Sequence, residues 1–423
     1  MPESDERSNG AAALWPDQPP EFPKLPLPDR LLIPLGSETG GAKTSPGTTV
    51  HRGQVLLKYP SESSHFPVAP ADGTLGEVRL IRLTSGHPAS AVELIVDHLA
   101  PQHETAGFED SETRESGLVR WIERLRRAGV WASRQASPDL IGQLNHAVSR
   151  PIDTVVCTAL DSDVSLRLNG AIAARFGDRV AEGAALLARI TGARRRVLAV
   201  EAEAKSPWAA PWTVAARAAS LEIVELSNDY PQSDPTLMLY SLTGRRLRPG
   251  RLPTTQGVLI VDAATAWAVG QAAHATPMIT CLVAIHDHLR RRSYFLEVPL
   301  GTSLDYVFQH FSLQDEALIF RGGDLLRDQR LRSDAVIAGG ELTIHVTGAE
   351  RVVIPEPCIR CAWCVEACPT LLNPAGVLDA SQRRDAHLAQ RSGIAACIEC
   401  GICSHVCPSQ LPLLEAVREV RQW

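Results

Sequence analysis

Eight of the ten cysteines in this 423-residue chain fall into two runs, CIRCAWCVEACP from Cys358 and CIECGICSHVCP from Cys397. Each run places thiols at offsets 0, 3, 6 and 10 and follows the last with a proline, Pro369 or Pro408. Thiolates are soft ligands, and a dense, repeated spacing of this kind points to metal binding in a reducing compartment rather than to disulfides. Structural zinc is met by paired C-x2-C units, without a third cysteine at equal spacing. The runs therefore favour iron–sulfur chemistry and one-electron transfer.

C-x2-C-x2-C-x3-C-P is the run that bacterial-type ferredoxins use for [4Fe–4S] clusters, three thiolates holding one cluster while the fourth completes the other. On that pattern Cys358, Cys361, Cys364 and Cys407 ligate one cluster, and Cys397, Cys400, Cys403 and Cys368 the second. Small and apolar residues between the ligands, among them Ile359, Ala362, Ile398, Gly401 and Ile402, are expected to pack near the clusters. Trp363 reads as a solvent shield and His405 as an exposed side chain rather than a ligand. Cys157 and Cys281 stand apart in apolar runs and read as buried core residues.

These ligands need elements to hold them. Around them the sequence predicts a helical insertion in the 28 residues between Cys368 and Cys397, and a last helix with Leu413, Val417, Val420 and Trp423 on one face. The expected cluster domain is 352–423. Before it, ITCLVAI, RSYFLEVPLG, a helix at SLDYVFQHF, EALIFRGG and GELTIHVTG read as a β-grasp, SLBB-like module over 276–348. From 113 to 275, helices alternate with apolar runs such as DTVVCTAL, RRVLAVEA and LEIVELS, the pattern of a parallel α/β sheet. Its longest helix is expected from Asn169 to Thr191, and SPDLIGQLNHAV offers Ser137 as an N-cap with Pro138 after it.

Residues 31–100 read as short strands joined by Gly and Pro turns, a small β-barrel or sandwich. Lys58 there lies inside the strand-like run VLLKY, which speaks against a biotinyl or lipoyl carrier. GSETGGAKT from Gly36 imitates a phosphate loop, but Ala42 precedes Lys43 and the setting is β-rich, so no nucleotide site is expected. Residues 1–30 hold six prolines between Pro16 and Pro28 and predict a disordered arm. The fold class is thus multidomain α/β and α+β.

A net charge of −6 argues against nucleic acid as a partner. The N-terminus lacks the apolar core of a secretory signal. The most apolar stretch, GVLIVDAATAWAVG, is interrupted by Asp262 and falls short of the ~20 residues of a membrane span, so membrane contact is expected to be indirect.

The order of barrel, α/β domain, β-grasp module and two-cluster domain resembles the C subunit of the Rnf electron-transport complex, the RnfC or RsxC family. PLPDRLLIPL, TVHRGQVL, YPQSDPTLMLYSLTGRRLRPGRLPTTQGVLIVDAATAWAV and CIECGICSHVCPSQLPL carry the resemblance, which runs from about Pro26 to the end. It implies a central domain similar to the NADH-binding flavoprotein subunit of complex I. It also implies partner subunits of a membrane complex, a ferredoxin or other redox carrier, and a peripheral place on the cytoplasmic face of the bacterial inner membrane.

Asp161 and Asp163 in TALDSDVS, with Glu201 and Lys205 in VEAEAKSP, match acidic and basic positions of the family's flavin and nucleotide site. The family's glycine-rich fingerprint, however, is replaced by LRRAGVWASRQ, in which Gly129 alone remains. Side chains there would fill the space a flavin needs. The resemblance therefore implies an electron-transfer subunit with two [4Fe–4S] clusters, a degenerate NADH and FMN site and no catalytic residue of its own. An FMN-containing, NADH-oxidising subunit is the alternative, and a non-catalytic iron–sulfur scaffold or redox sensor the reading from another class.

Overall fold

A computed structural model describes residues 18–423 apart from 36–44, 58–64, 87, 100–116, 132–137, 164–165, 202–207, 228, 316, 325, 340–341 and 349–353. The GSETGGAKT segment and Lys58 lie outside the described residues. Strands β1 (Arg30–Pro34), β2 (Thr49–Val50), β3 (Gly73–Arg82) and β4 (Pro88–Val96) form an antiparallel sheet in the order β1-β4-β3-β2. A register shift between Leu75 and Val78 bends β3 against β4, and a bulge of this kind adds twist. Leu31 and Ile33 of β1 alternate inward to meet Leu75, Val92 and Leu94, closing a curled half-barrel over its own core.

From residue 18 onward the expected disordered arm is instead docked. Phe22 and Leu25 are buried in the main core, and the Phe22 ring lies 5.4 Å from Phe176 and 5.6 Å from Phe295. Leu25 N–H donates to the Glu297 carbonyl at 2.9 Å, and Glu297 N–H to that of Pro23 at 3.0 Å. Prolines keep the arm extended with few amide donors of its own, so two apolar side chains and one sheet edge suffice to seat it.

The central region carries a parallel sheet, β5 (Thr154–Thr158), β6 (Arg195–Glu201), β7 (Glu222–Leu226) and β8 (Val258–Asp262), in the order β7-β6-β5-β8. β5 and β8 are buried throughout, as continuous apolar strands covered on both faces should be. Helices α1 (Leu118–Arg127), α2 (Leu140–Ser149), α3 (Leu168–Arg175), α4 (Gly177–Thr191), α5 (Ala209–Ala218), α6 (Pro235–Thr243) and α7 (Ala263–Ala273) accompany it. Trp121, Ile122 and Leu125 are the buried stripe of α1. The N-cap of α2 is Asp139, which accepts from Gly142 N–H at 2.6 Å, two residues beyond the expected Ser137.

The expected single helix from Asn169 to Thr191 is broken at Phe176, where φ −117° and ψ 30° end α3 and the ring turns into the aromatic cluster with Phe22 and Trp267. Helices α4 and α7 cross with backbone against backbone. A Cβ at Gly183 would lie 1.9 Å from the Ala266 carbonyl oxygen, and one at Gly270 would lie 2.2 Å from that of Arg179. Cys157 and Cys281 are both buried.

The following module is a mixed sheet of β9 (Thr280–Asp287), β10 (Arg292–Pro299), β11 (Ile319–Gly322), β12 (Gln329–Arg330) and β13 (Leu342–Thr347), in the order β10-β9-β13-β11-β12, with β13 parallel to β9. Its helix α8 (Leu304–His310) starts at Ser303, which caps Tyr306 N–H. The C-terminal region is helical: α9 (Trp363–Glu366), α10 (Pro374–Arg383), α11 (Ala386–Arg391), α12 (Ile402–His405) and α13 (Leu413–Val420). Leu413, Val417 and Val420 are buried as expected, whereas Trp423 lies beyond the helix end and is exposed. Among the described residues no helix is long and apolar enough to cross a membrane.

Candidate metal centres

The two cysteine runs fold as copies of one backbone, 39 residues apart. In the first, Arg360, Ala362 and Leu371 have φ of 56°, 66° and 58°; in the second, Glu399, Gly401 and Gln410 have 53°, 78° and 51°. Left-handed residues at matched places turn each chain tightly between its thiols. Each copy then makes one short helix, α9 or α12, and a longer one, α10 or α13, that begins after the proline turn. Backbone amides face the sulfurs: Glu399 N–H donates to Cys397 Sγ at 3.3 Å, and Leu411 N–H to Cys407 Sγ at 3.5 Å.

Cys358, Cys361, Cys364 and Cys407 line one cavity of about 310 Å³, with Ile359, Leu411 and Leu413. Cys368, Cys397, Cys400 and Cys403 line another, which closes to about 10 Å³ against Leu414 and Val417. Each cavity thus takes three thiols from one run and the fourth from the other. Among the described residues no group of three or more His, Cys, Asp or Glu is set to hold a single metal ion. A cubane spreads its thiolates around four irons, so its ligands stand further apart than those of one ion. Soft thiols with amide donors behind them suit such a cluster in both sets, and the first also has the room.

Burial makes the free thiols weak acids at the second set. It pushes Cys400 up to about 11 and Cys403 up to about 12, and neighbouring cysteines add to the shift. Burial likewise raises Cys364 and Cys397. Coordination to iron would offset this cost, because a coordinated thiol is deprotonated.

The two sets differ in their surroundings. At the first, Cys358 and Cys361 are exposed. Trp363 is 55% exposed and Leu371 82%, so the tryptophan shields the site only in part. At the second, Cys368 and Cys400 are buried. A Cβ at Gly401 would lie 2.1 Å from the Leu326 carbonyl oxygen, so the chain passes directly over the β-grasp module there. The Tyr230 hydroxyl donates to the Cys400 carbonyl and lies 3.2 Å from Asp324 Oδ1. Asp324 pairs with Arg327, both buried, and the Arg327 carbonyl accepts from Arg418 Nη2 at 3.1 Å. Arg421 donates to Glu399 and to the Cys397 carbonyl. His405 is exposed.

Tyr230, Asp324 and Arg327 escaped the sequence reading. YPQSDP was visible as a segment of the resemblance, but nothing in it pointed to a partner 170 residues away.

The residues matched to the family's flavin site lie at the C-terminal edge of the central sheet. Strand order reverses there between β5 and β8, the crevice where open α/β sheets bind ligands. Asp161 follows β5 and spends its carboxylate on α3, accepting from Asn169 N–H at 2.8 Å and Gly170 N–H at 3.2 Å. Its carboxylate thus occupies the helix N-terminus, a place that favours negative charge. Burial raises its pKa to about 6 against the pull of those amides. Asp163 is half-buried, within electrostatic reach of Asp324 and His345. Glu201 ends β6 in an ion pair with Arg167 at 2.8 Å. Lys205 lies outside the described residues.

LRRAGVWASRQ is described only to Trp131. A Cβ at Gly129, φ 68°, would lie 2.9 Å from Val68 Cγ2, so this glycine lets the chain pack on the half-barrel. Trp131 stacks on His65 with centroids 4.7 Å apart and covers Gly339.

Residues 139–271 match the Nuo51 FMN-binding domain family, and residues 350–410, which hold all eight clustered cysteines, match the 4Fe-4S dicluster domain family. The chain is 24% identical over 375 residues to the C subunit of an ion-translocating oxidoreductase complex from Edwardsiella ictaluri (strain 93-146), covering 86% of this chain and 46% of that protein. It is 26% identical over 415 residues to the corresponding protein of Pasteurella multocida (strain Pm70), covering 93% and 48%. The chain resembles the C subunits of ion-translocating oxidoreductase complexes. This likeness extends from the half-barrel to the dicluster domain, and the chain spans about half the length of the curated relatives it matches. A crystal structure of an NAD+-reducing [NiFe]-hydrogenase in the H2-reduced state aligns with a TM-score of 0.45 at 14% identity, over 72% of this chain and 60% of that one.

Proposed function

We propose that this chain relays electrons through two [4Fe–4S] clusters as a peripheral subunit of a membrane-associated oxidoreductase complex. The observation that carries the reading is the crossed pairing of cysteines, three from one run and one from the other, at each of two cavities. On this reading Cys358, Cys361, Cys364 and Cys407 hold the first cluster, and Cys397, Cys400, Cys403 and Cys368 the second. Similarity to the RnfC-type proteins supports partner subunits of such a complex, with a ferredoxin or another redox carrier as the exchange partner, on the cytoplasmic face. The half-barrel (31–100), α/β (113–275), β-grasp (276–348) and cluster (352–423) segments act as its domains.

The chain works without an NADH or FMN site of its own. Asp161 closes the α3 N-terminus, Glu201 is neutralised by Arg167, and Trp131 stands in the former fingerprint. The match of residues 139–271 to an FMN-binding family favours a second reading, an NADH-oxidising flavoprotein subunit. A hydride donor delivers two electrons at once, so that reading requires FMN as intermediary.

Anaerobic purification separates the two. About eight irons and eight sulfides per chain, no flavin, and reduction by dithionite but not by NADH are expected. Stoichiometric FMN with NADH-dependent bleaching would replace the first reading with the second. Cys407→Ser should abolish the cluster of the first run, and Cys368→Ser that of the second run, by iron content and EPR. Loss within the mutated run instead would overturn the crossed ligation.

A further inference from the structure

Beside the second cysteine set lies a buried cation that its neighbours do not fully use. Arg327 is 6% exposed, and its Nε donates to Asp324. Its Nη1 is buried with no hydrogen-bond partner among the described residues. A guanidinium carries five N–H donors and stays charged at any physiological pH. Leaving one such donor buried and unpaired costs free energy unless an acceptor is bound nearby.

The segment that carries this guanidinium is fixed from three sides. The carbonyl of Leu326, the preceding residue, abuts Gly401 in the ligand run. The Arg327 carbonyl is held by Arg418 of α13. Its ion-pair partner Asp324 also meets the Tyr230 hydroxyl, which donates to the Cys400 carbonyl. The cation and the Cys400 ligand are therefore parts of one rigid polar contact. No equivalent cation is buried beside the first set among the described residues, where Arg360 is exposed.

Resting on the reading that the second set holds a [4Fe–4S] cluster, we infer that Arg327 is a positioning residue that sets that cluster's reduction potential. Reduction adds one negative charge to the cluster. A fixed buried positive charge stabilises that state more than the oxidised one, and cluster potentials respond to local charge and hydrogen bonding. Nη1 has no protein acceptor among the described residues, so the charge on that side of the guanidinium is not offset by a neighbour. Asp324 opposes the effect, so the two members of one ion pair shift the potential in opposite directions.

The test is an anaerobic, EPR-monitored redox titration of the full chain. The second cluster is defined as the one whose signal survives in Cys407→Ser. Arg327→Gln should lower the potential of that cluster by a factor of ten or more in its reduction equilibrium, about 59 mV for one electron, and leave the other unmoved. Arg327→Lys, which keeps the charge, should recover most of the loss. Asp324→Asn should shift the same cluster upward; loosened packing that admits water also raises a cluster's potential, so the downward shift in Arg327→Gln is the sign that it does not produce.

Unmoved potentials, equal shifts in both clusters, or identical Gln and Lys variants would overturn the inference. Should Arg327→Gln fail to assemble the cluster, Asp324→Asn read beside the charge-keeping Asp324→Glu decides: an upward shift in the first alone supports the inference, and no shift, a downward one or equal shifts in both sink it. Fewer than two clusters in the unaltered chain is a different result, which removes the proposed function itself.

Discussion

The two cysteine sets share one backbone and differ in what covers them. Their left-handed residues, short helices and proline turns correspond position by position. Yet the first set opens to solvent, and the second is pressed against the β-grasp module and the loop after β7. The pair Ala362 and Gly401 shows how small the sequence difference is. Both have positive φ, but only Gly401 sits where a methyl group would strike a carbonyl oxygen. One set has been made a surface and the other an interior while the backbone turns between the ligands stay the same.

The sharpest way to break this contrast is to strip iron. An iron chelator under mild oxidation should remove the cluster of the exposed set completely while the sealed one persists, followed by EPR and iron content. Simultaneous loss would show that the seal does not protect. Next in size is Gly401→Ala. With its Cβ 2.1 Å from an oxygen and φ at 78°, it should cost about 3 kcal/mol or more and release the second cluster. Chemical unfolding of holo protein would register it.

Tyr230→Phe removes the donor to the Cys400 carbonyl and should cost about 1–2 kcal/mol, with the first cluster unaffected. The smallest effect is the mirror of the glycine change. Ala362→Gly relieves a left-handed alanine in an open setting, so stability should rise by no more than about 1 kcal/mol. A loss of several kcal/mol there would mean that the first set is packed after all.

Much of this was readable from local pattern. Ligand spacing is a short-range signal, and the continuous apolar runs of β5 and β8 allow few structures other than buried parallel strands. Features set by distant contacts were not readable. The prolines near the N-terminus indicate an extended chain correctly, but whether it docks depends on Phe22 and Leu25 finding a core formed by residues far along the chain. The break at Phe176 has the same origin, since its residues are compatible with helix and the aromatic cluster overrides them. Asp161 and Glu201, matched only by motif in the sequence, lie just past β5 and at the end of β6. Their engagement with α3 and Arg167 needed the tertiary structure.

The crossing of α4 and α7 bears on how this molecule can move. Packed helices slide past one another by letting interdigitated side chains exchange rotamers. At Gly183 and Gly270 no side chain intervenes to be rearranged, and each backbone lies in the groove of the other. Shear at that crossing is blocked, so the helix pair travels as one strut. Loops at the far edge of the sheet can then shift together with the sheet or bend at their own hinges, but they gain no freedom from slippage behind it.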